Sequence, residues 1–251
     1  MTEPLRSFIR ITGDDRVSFL QGILTQDVTK LAADKIQFAA LLSPQGKILH
    51  DMFLIDLGDS ILLDTAAQYK DALLKRLTLY KLRAKVTIEE ITSHEPRATS
   101  RDLPDPRHPA LPVRDYSSLN PESRISNPLQ LGIPELGRDF APDQIVPLDA
   151  GYDLLHAISF TKGCYVGQEV TARMHYKHIA RRGFFILEDE SGTPQRLALL
   201  KFEDVFGNSP APLTTHHTRL PITVDNQPYH ARLPEWMLPK FQQFLESLKA
   251  Q

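Results

Sequence analysis

The sequence predicts an α+β fold in which an antiparallel sheet carries helices on its face, and three observations support this. Residues 36–42 and 48–57, IQFAALL and ILHDMFLIDL, are apolar runs joined by SPQGK, where Pro44 and Gly46 favour a turn; they read as a β-hairpin. SILLDT, just past the next turn, supplies a third strand. From Ala66 to Arg83, residues Ala66, Tyr69, Leu73, Leu77 and Tyr80 recur at three- and four-residue steps with lysines and arginines between them, the pattern of a helix with one apolar face. KVTIEEI then alternates as a strand, and the order hairpin, strand, helix, strand belongs to an α+β unit.

The remaining elements follow the same logic. LRSFIRI, residues 5–11, alternates as a strand. Asp14 or Asp15 is placed to N-cap a helix running to about Gln26, with Val17, Leu20, Ile23 and Leu24 on one face. HEPRATSRDLPDPRHPALP, from residue 94, is dense in proline and poor in apolar residues, which reads as a loop or linker. Apolar content returns in RISNPLQLGIPELGRDF and VPLDAGYDLLHAISF. GFFILE opens a region of short strands, closed by a helix with Phe241, Phe244, Leu245 and Leu248 on one side. These shifts divide the chain into residues 1–93, 94–182 and 183–251.

Composition narrows the function classes. A chain of 251 residues, 41% hydrophobic and 24% charged, is an ordinary globular composition, long enough for a large core. A net charge of −2 gives no general attraction to nucleic acid or to an anionic membrane. The single cysteine excludes an intrachain disulfide. No apolar run approaches bilayer length, and MTEPLRSFIRITGDDR has neither signal-peptide nor transit-peptide character, so a cytoplasmic setting is expected.

That cysteine, Cys164, stands between Gly163 and Gly167 in FTKGCYVGQEVTARM. The glycines permit a tight turn, and QEVTARMHYK is composed as a helix, with Glu169 and Arg173 spaced as an i, i+4 pair. If the thiol faces the helix start, free amides and Lys162 would favour the thiolate. The alternative is a buried cysteine packed as a small apolar group. An iron–sulfur cluster normally takes about four protein ligands, mostly thiolates. With one cysteine the chain would have to share a cluster with a partner or small thiols. His175 and His178 have a ligand-compatible helical spacing and His216 and His217 are adjacent, but no nearby carboxylate or third histidine completes a motif. His50 and Asp51 are adjacent on a strand and therefore face opposite ways. Arg173, Lys177, His178, Arg181 and Arg182 form a cationic cluster, either a solvated helix end or a dock for an anionic tail. GxGxxG, GxxxxGK[ST] and GxSxG are all absent.

KGCYVGQE followed by TARM closely resembles the signature of the YgfZ-type folate-binding proteins, relatives of the glycine cleavage system T-protein (aminomethyltransferase). FLQGILTQDV, LLSPQGKILHDMFLID and KLRAKVTIEE are similar to the family's N-terminal blocks, in order, and the likeness extends over about residues 5–186. The resemblance implies a three-domain arrangement around a central folate channel, with a short C-terminal β-barrel-like region. It implies tetrahydrofolate as ligand, contacted by Lys162, Gly163, Tyr165, Gly167, Gln168, Glu169 and Arg173. It also implies a role in maturing or repairing iron–sulfur proteins of the 4Fe–4S kind, without a conventional turnover reaction. Cys164 would then be the reactive residue and the ligand of a shared or transient cluster, with iron–sulfur carriers or clients as partners.

The chain departs from the T-protein pattern where an acidic pair is replaced by His50–Asp51, and no GYTGE-type block is present. Asp51 is thus the one acid left as a catalytic candidate. Two rival readings follow: a tetrahydrofolate-dependent aminomethyl- or demethyltransferase, and an interaction scaffold without catalysis.

Overall fold

The computed structural model describes residues 6–91, 102–116, 128–177, 180–206 and 219–249. The first region holds strands β1 (Arg6–Thr12), β2 (Ile36–Leu42), β3 (Ile48–Asp56), β4 (Ser60–Ala66) and β5 (Thr87–Ile91), with helices α1 (Arg16–Gln21) and α2 (Lys70–Lys81). The strands form one antiparallel sheet in the order β2-β3-β4-β1-β5. The hairpin, the third strand and the amphipathic helix lie where the sequence puts them. The first helix is shorter than predicted and stops at Gln21. Asp15 does not cap it through its side chain; that carboxylate accepts the Lys85 amide at 2.7 Å.

Both faces of this sheet are covered, which is why β2, β3 and β4 read as nearly continuous apolar runs. Leu20, Leu24, Leu73 and Leu77 of the helical layer pack against Ile9, Ile11, Ala39, Leu41, Met52 and Leu54. On the opposite face Phe38, Ala40, Leu42, Phe53 and Ile55 meet Leu103, Leu111, Tyr116, Ile133, Tyr152 and Leu155. A bulge where Leu42 pairs with Ile48 shifts the register at the hairpin end.

The proline-rich stretch is not a linker where it is described. Residues 102–116 fold over the sheet as the short antiparallel pair β6 (Asp102–Leu103) and β7 (Arg114–Asp115), with Leu103, Asp105, Arg107, Leu111 and Tyr116 buried. Ion pairs hold them down. Asp64 of β4 accepts Arg6 Nε at 2.7 Å and the Tyr116 hydroxyl at 2.8 Å, with Arg114 at 3.5 Å. Asp105 pairs with Arg107 and Arg114, and Arg107 reaches Glu135 at 2.9 Å. The guanidinium of Arg114 stacks 3.6 Å from the centre of the Phe53 ring. Burial alone would raise the Asp105 carboxyl, but Arg107 and Arg114 hold it down to about 2. Few apolar residues are needed here because paired charges over aromatic rings take their place.

The short helix α3 (Pro128–Leu131) leads to the motif-bearing α4 (Gln168–Tyr176). Beyond it lie β8 (Arg182–Glu188), β9 (Pro194–Lys201), α5 (Phe202–Phe206), β10 (Arg219–Val224), β11 (Gln227–Arg232) and α6 (Leu238–Lys249). The expectation of a barrel-like C-terminal region is corrected. Among the described residues, β10-β11-β8-β9 form an open four-stranded antiparallel sheet. Four strands do not bring the first and last within hydrogen-bonding reach. The sheet instead covers one face with helices, setting Phe202, Phe241 and Phe244 against Phe185 and Leu187. Phe184 and Ile186 of the same strand β8 join the central core, so the two sheets share a continuous interior.

Candidate functional site

The motif loop is braced from both sides. Lys162 donates to the carbonyls of Gln21 at 2.7 Å, Leu24 at 2.6 Å and Gln26 at 2.9 Å, which satisfies acceptors left at the end of α1. Its three protons are thereby all taken. Burial lowers its pKa to about 8, with Asp27 opposing, so it remains mostly protonated at neutral pH. The ammonium also lies 5.1 Å from the Tyr165 ring centre. Beside it, Thr25 accepts the Ala40 amide and donates to the Ala157 carbonyl at 2.6 Å, so the segment after α1 joins the hairpin to the stretch before the motif.

The far end of the loop is fixed by glycine. Gly167 has φ +78°, and a Cβ there would fall 2.3 Å from the Ser43 carbonyl oxygen. Gly46 of the SPQGK turn approaches from the other side with φ +79°. The hairpin turn and the motif therefore interlock through two residues without side chains. Gly163 differs: a Cβ there would meet nothing within 4 Å.

Between these braces Tyr165 is buried and Cys164 is exposed, so the cysteine is not packed as a small apolar group. The loop is closed locally by the Tyr165 amide, which donates to Gln168 Oε1 at 3.2 Å. Glu169 and Arg173 are exposed on α4, with no ion pair between them. Of the nominated ligand residues, Lys162, Tyr165, Gly167 and Gln168 build the loop, whereas Gly163, Cys164, Glu169 and Arg173 face outward. His178, His216 and His217 lie outside the described residues. Among the described residues no group of three histidine, cysteine, aspartate or glutamate side chains is placed to hold a metal ion, and no helix is long and apolar enough to cross a membrane.

Asp51 belongs to a different environment. It is 5% exposed on the sheet face opposite the helices and accepts the Tyr152 hydroxyl at 2.6 Å. Burial raises its pKa, while the Tyr152 bond and Arg6 oppose the rise. Burial also pushes the Tyr152 phenol well above its ordinary value, reinforced by Asp51. The Tyr152 ring packs 5.2 Å from the Phe38 ring, and Arg107 lies 5.6 Å from the centre of the Phe38 ring. His50, as expected, faces away. Burial and the nearby Arg76 charge lower it to about 4. Sequence reasoning missed Tyr152, Arg107 and Glu135, because nothing in a local pattern marks partners this far apart in the chain, 101 residues for Asp51 and Tyr152.

Known proteins resemble this chain in sequence and in fold. Residues 6–97 match the family model described as the GCVT N-terminal domain. The mitochondrial iron–sulfur cluster assembly factor IBA57 of Mus musculus is 29% identical over 235 residues, covering 75% of this chain and 66% of that protein. The Homo sapiens protein of the same name is 28% identical over 225 residues, covering 72% and 63%. The chain thus spans just under two thirds of the length of these relatives. A crystal structure of the glycine cleavage system aminomethyltransferase T from Bartonella henselae superposes with a TM-score of 0.63 at 13% identity, over 96% of this chain and 85% of that one. At that identity the likeness is one of fold. The chain is thus similar over residues 6–97 to the GCVT N-terminal domain, over most of its length to the IBA57 assembly factors, and in fold to the aminomethyltransferase.

Proposed function

We propose that this chain is a folate-binding accessory factor in the maturation or repair of iron–sulfur proteins, the 4Fe–4S kind included, acting on partners without a turnover reaction of its own. One observation carries the reading: the only thiol is exposed at the tip of a loop whose two ends are fixed by Lys162 and Gly167. A rigidly presented sulfur suits transient contact with a cluster or thiol on a carrier or client protein. A single ligand of this kind cannot keep a cluster unaided. The names of the mammalian relatives support the same role.

The donor set around Asp51 suits tetrahydrofolate. A buried carboxylate among the rings of Phe38, Phe53 and Tyr152 can take the donor edge of a pterin, and Arg6 and Arg114, each with about a fifth of its side chain exposed, can take tail carboxylates. Tyr152 holds the Asp51 bond a pterin would take, so binding requires that side chain to give way. The folate would supply one-carbon chemistry; the residues here bind and orient it.

Two measurements test the proposal. Cys164→Ala should leave the unfolding midpoint unchanged while lowering the activity of cluster-dependent enzymes in cells that rely on this chain. Undiminished enzyme activity would remove the thiol from the mechanism. Calorimetric titration with tetrahydrofolate should show saturable binding, weakened by Asp51→Asn; no binding would leave the interaction-scaffold reading.

A further inference from the structure

Residues of α4 and α6 line a cavity of about 240 Å³ whose lining includes neither Cys164 nor Asp51. That is about eight times the volume of a water in the liquid, and below the usual range of drug-sized sites. Its walls are mostly apolar, with Ile158, Phe160 and Met174 among them. Two of the lining rings, His175 and Phe160, stack on each other at 3.6 Å and 12°. One edge is polar. Lys240 of α6, only 3% exposed, donates to the Leu148 carbonyl and, at 2.6 Å, to the Asp153 carboxylate. An ammonium has three protons, and among the described residues nothing takes the third. The two bonds tie α6 to the 148–153 segment, and a methionine there would leave Asp153 without its cation. The third proton of this buried ammonium remains for a ligand.

Aromatic lining, an apolar surround and an adjacent donor and acceptor on one edge together suit a planar polar ring. We propose that this cavity binds a small planar nitrogen heterocycle with a lactam edge, its carbonyl accepting the free proton of Lys240 and its ring N–H donating to Asp153. The inference is independent of the thiol and of the proposed folate site. It places a ligand between the helix of the KGCYVGQE motif and the C-terminal helix, where binding would tie the two together.

The full chain is titrated with quinazolin-4(3H)-one by calorimetry. Saturable binding below about 1 mM is expected. Lys240→Met should weaken it roughly tenfold, as should N3-methylation of the probe, since each removes one hydrogen bond of the edge. Met174→Trp should abolish it by filling the cavity. Absence of saturable binding overturns the proposal, as does equal affinity for the N-methylated probe. Benzoate binding as tightly as the lactam also overturns it, because the site would then be a simple anion site. Should Lys240→Met fail to fold, the methylated probe and Met174→Trp still decide.

Discussion

Tyr152 and Asp51, 101 residues apart in the chain, meet at 2.6 Å in the interior. This bond joins the first sheet to the segment that leads into the motif loop. It also gives the one acid left from the T-protein pattern a hydroxyl partner within the chain. Tyr152→Phe should lower stability by about 1–3 kcal/mol, because Asp51 stays buried with its main partner gone. The same change removes a contact that opposes the burial-driven rise of the Asp51 pKa, so that carboxyl should titrate still higher. Urea unfolding and carboxyl NMR of the variant check the two effects.

Lys162 is a brace for α1 as much as a neighbour of the thiol. Replacing it with methionine leaves the carbonyls of Gln21, Leu24 and Gln26 without their cation. The expected loss is about 2 kcal/mol, with faster amide exchange across residues 160–167. Exchange unchanged in that stretch would show that the loop holds its shape without the lysine.

The two glycines of the motif should behave oppositely. Gly167→Ala forces a side chain into positive φ and onto the Ser43 carbonyl, and should cost more than about 2 kcal/mol. Gly163→Ala enters open space and should stay within about 0.5 kcal/mol of the parent. Equal effects of the two substitutions would contradict the interlock with Gly46.

His50 predicts a pH dependence. Its folded pKa of about 4 lies below the ordinary value of 6.5, so on acidification the unfolded chain takes up a proton that the folded chain does not. Its contribution to stability is fully present above about pH 6.5 and is lost as pH falls through 6.5 toward 4. The loss amounts to about 2 kcal/mol by pH 5. Denaturant unfolding at pH 7.5 and 5.0 should show that difference shrink by the same amount in His50→Leu.

Much of the first region was legible because strands and helices announce themselves through neighbouring residues. The hairpin around Pro44 and Gly46, the apolar stripe through Leu73 and Leu77, and the positive-φ glycine before α4 are local signals. The proline-rich stretch misled for the same reason. Its charges look solvent-bound in isolation, and Asp64, Glu135 and Phe53, distant in sequence, join Asp105 in burying Arg107 and half-burying Arg114.

By itself, then, the sequence determined an α+β chain with one cysteine on a glycine turn before a helix, because backbone preference and apolar periodicity are properties of adjacent residues. Tertiary structure alone decided that Cys164 is exposed while Tyr165 beside it is buried, that Lys162 serves the end of α1, and that Asp51 bonds to Tyr152. Exposure and pairing depend on which remote segments the fold brings within a few ångströms, and no short-range pattern encodes that distance.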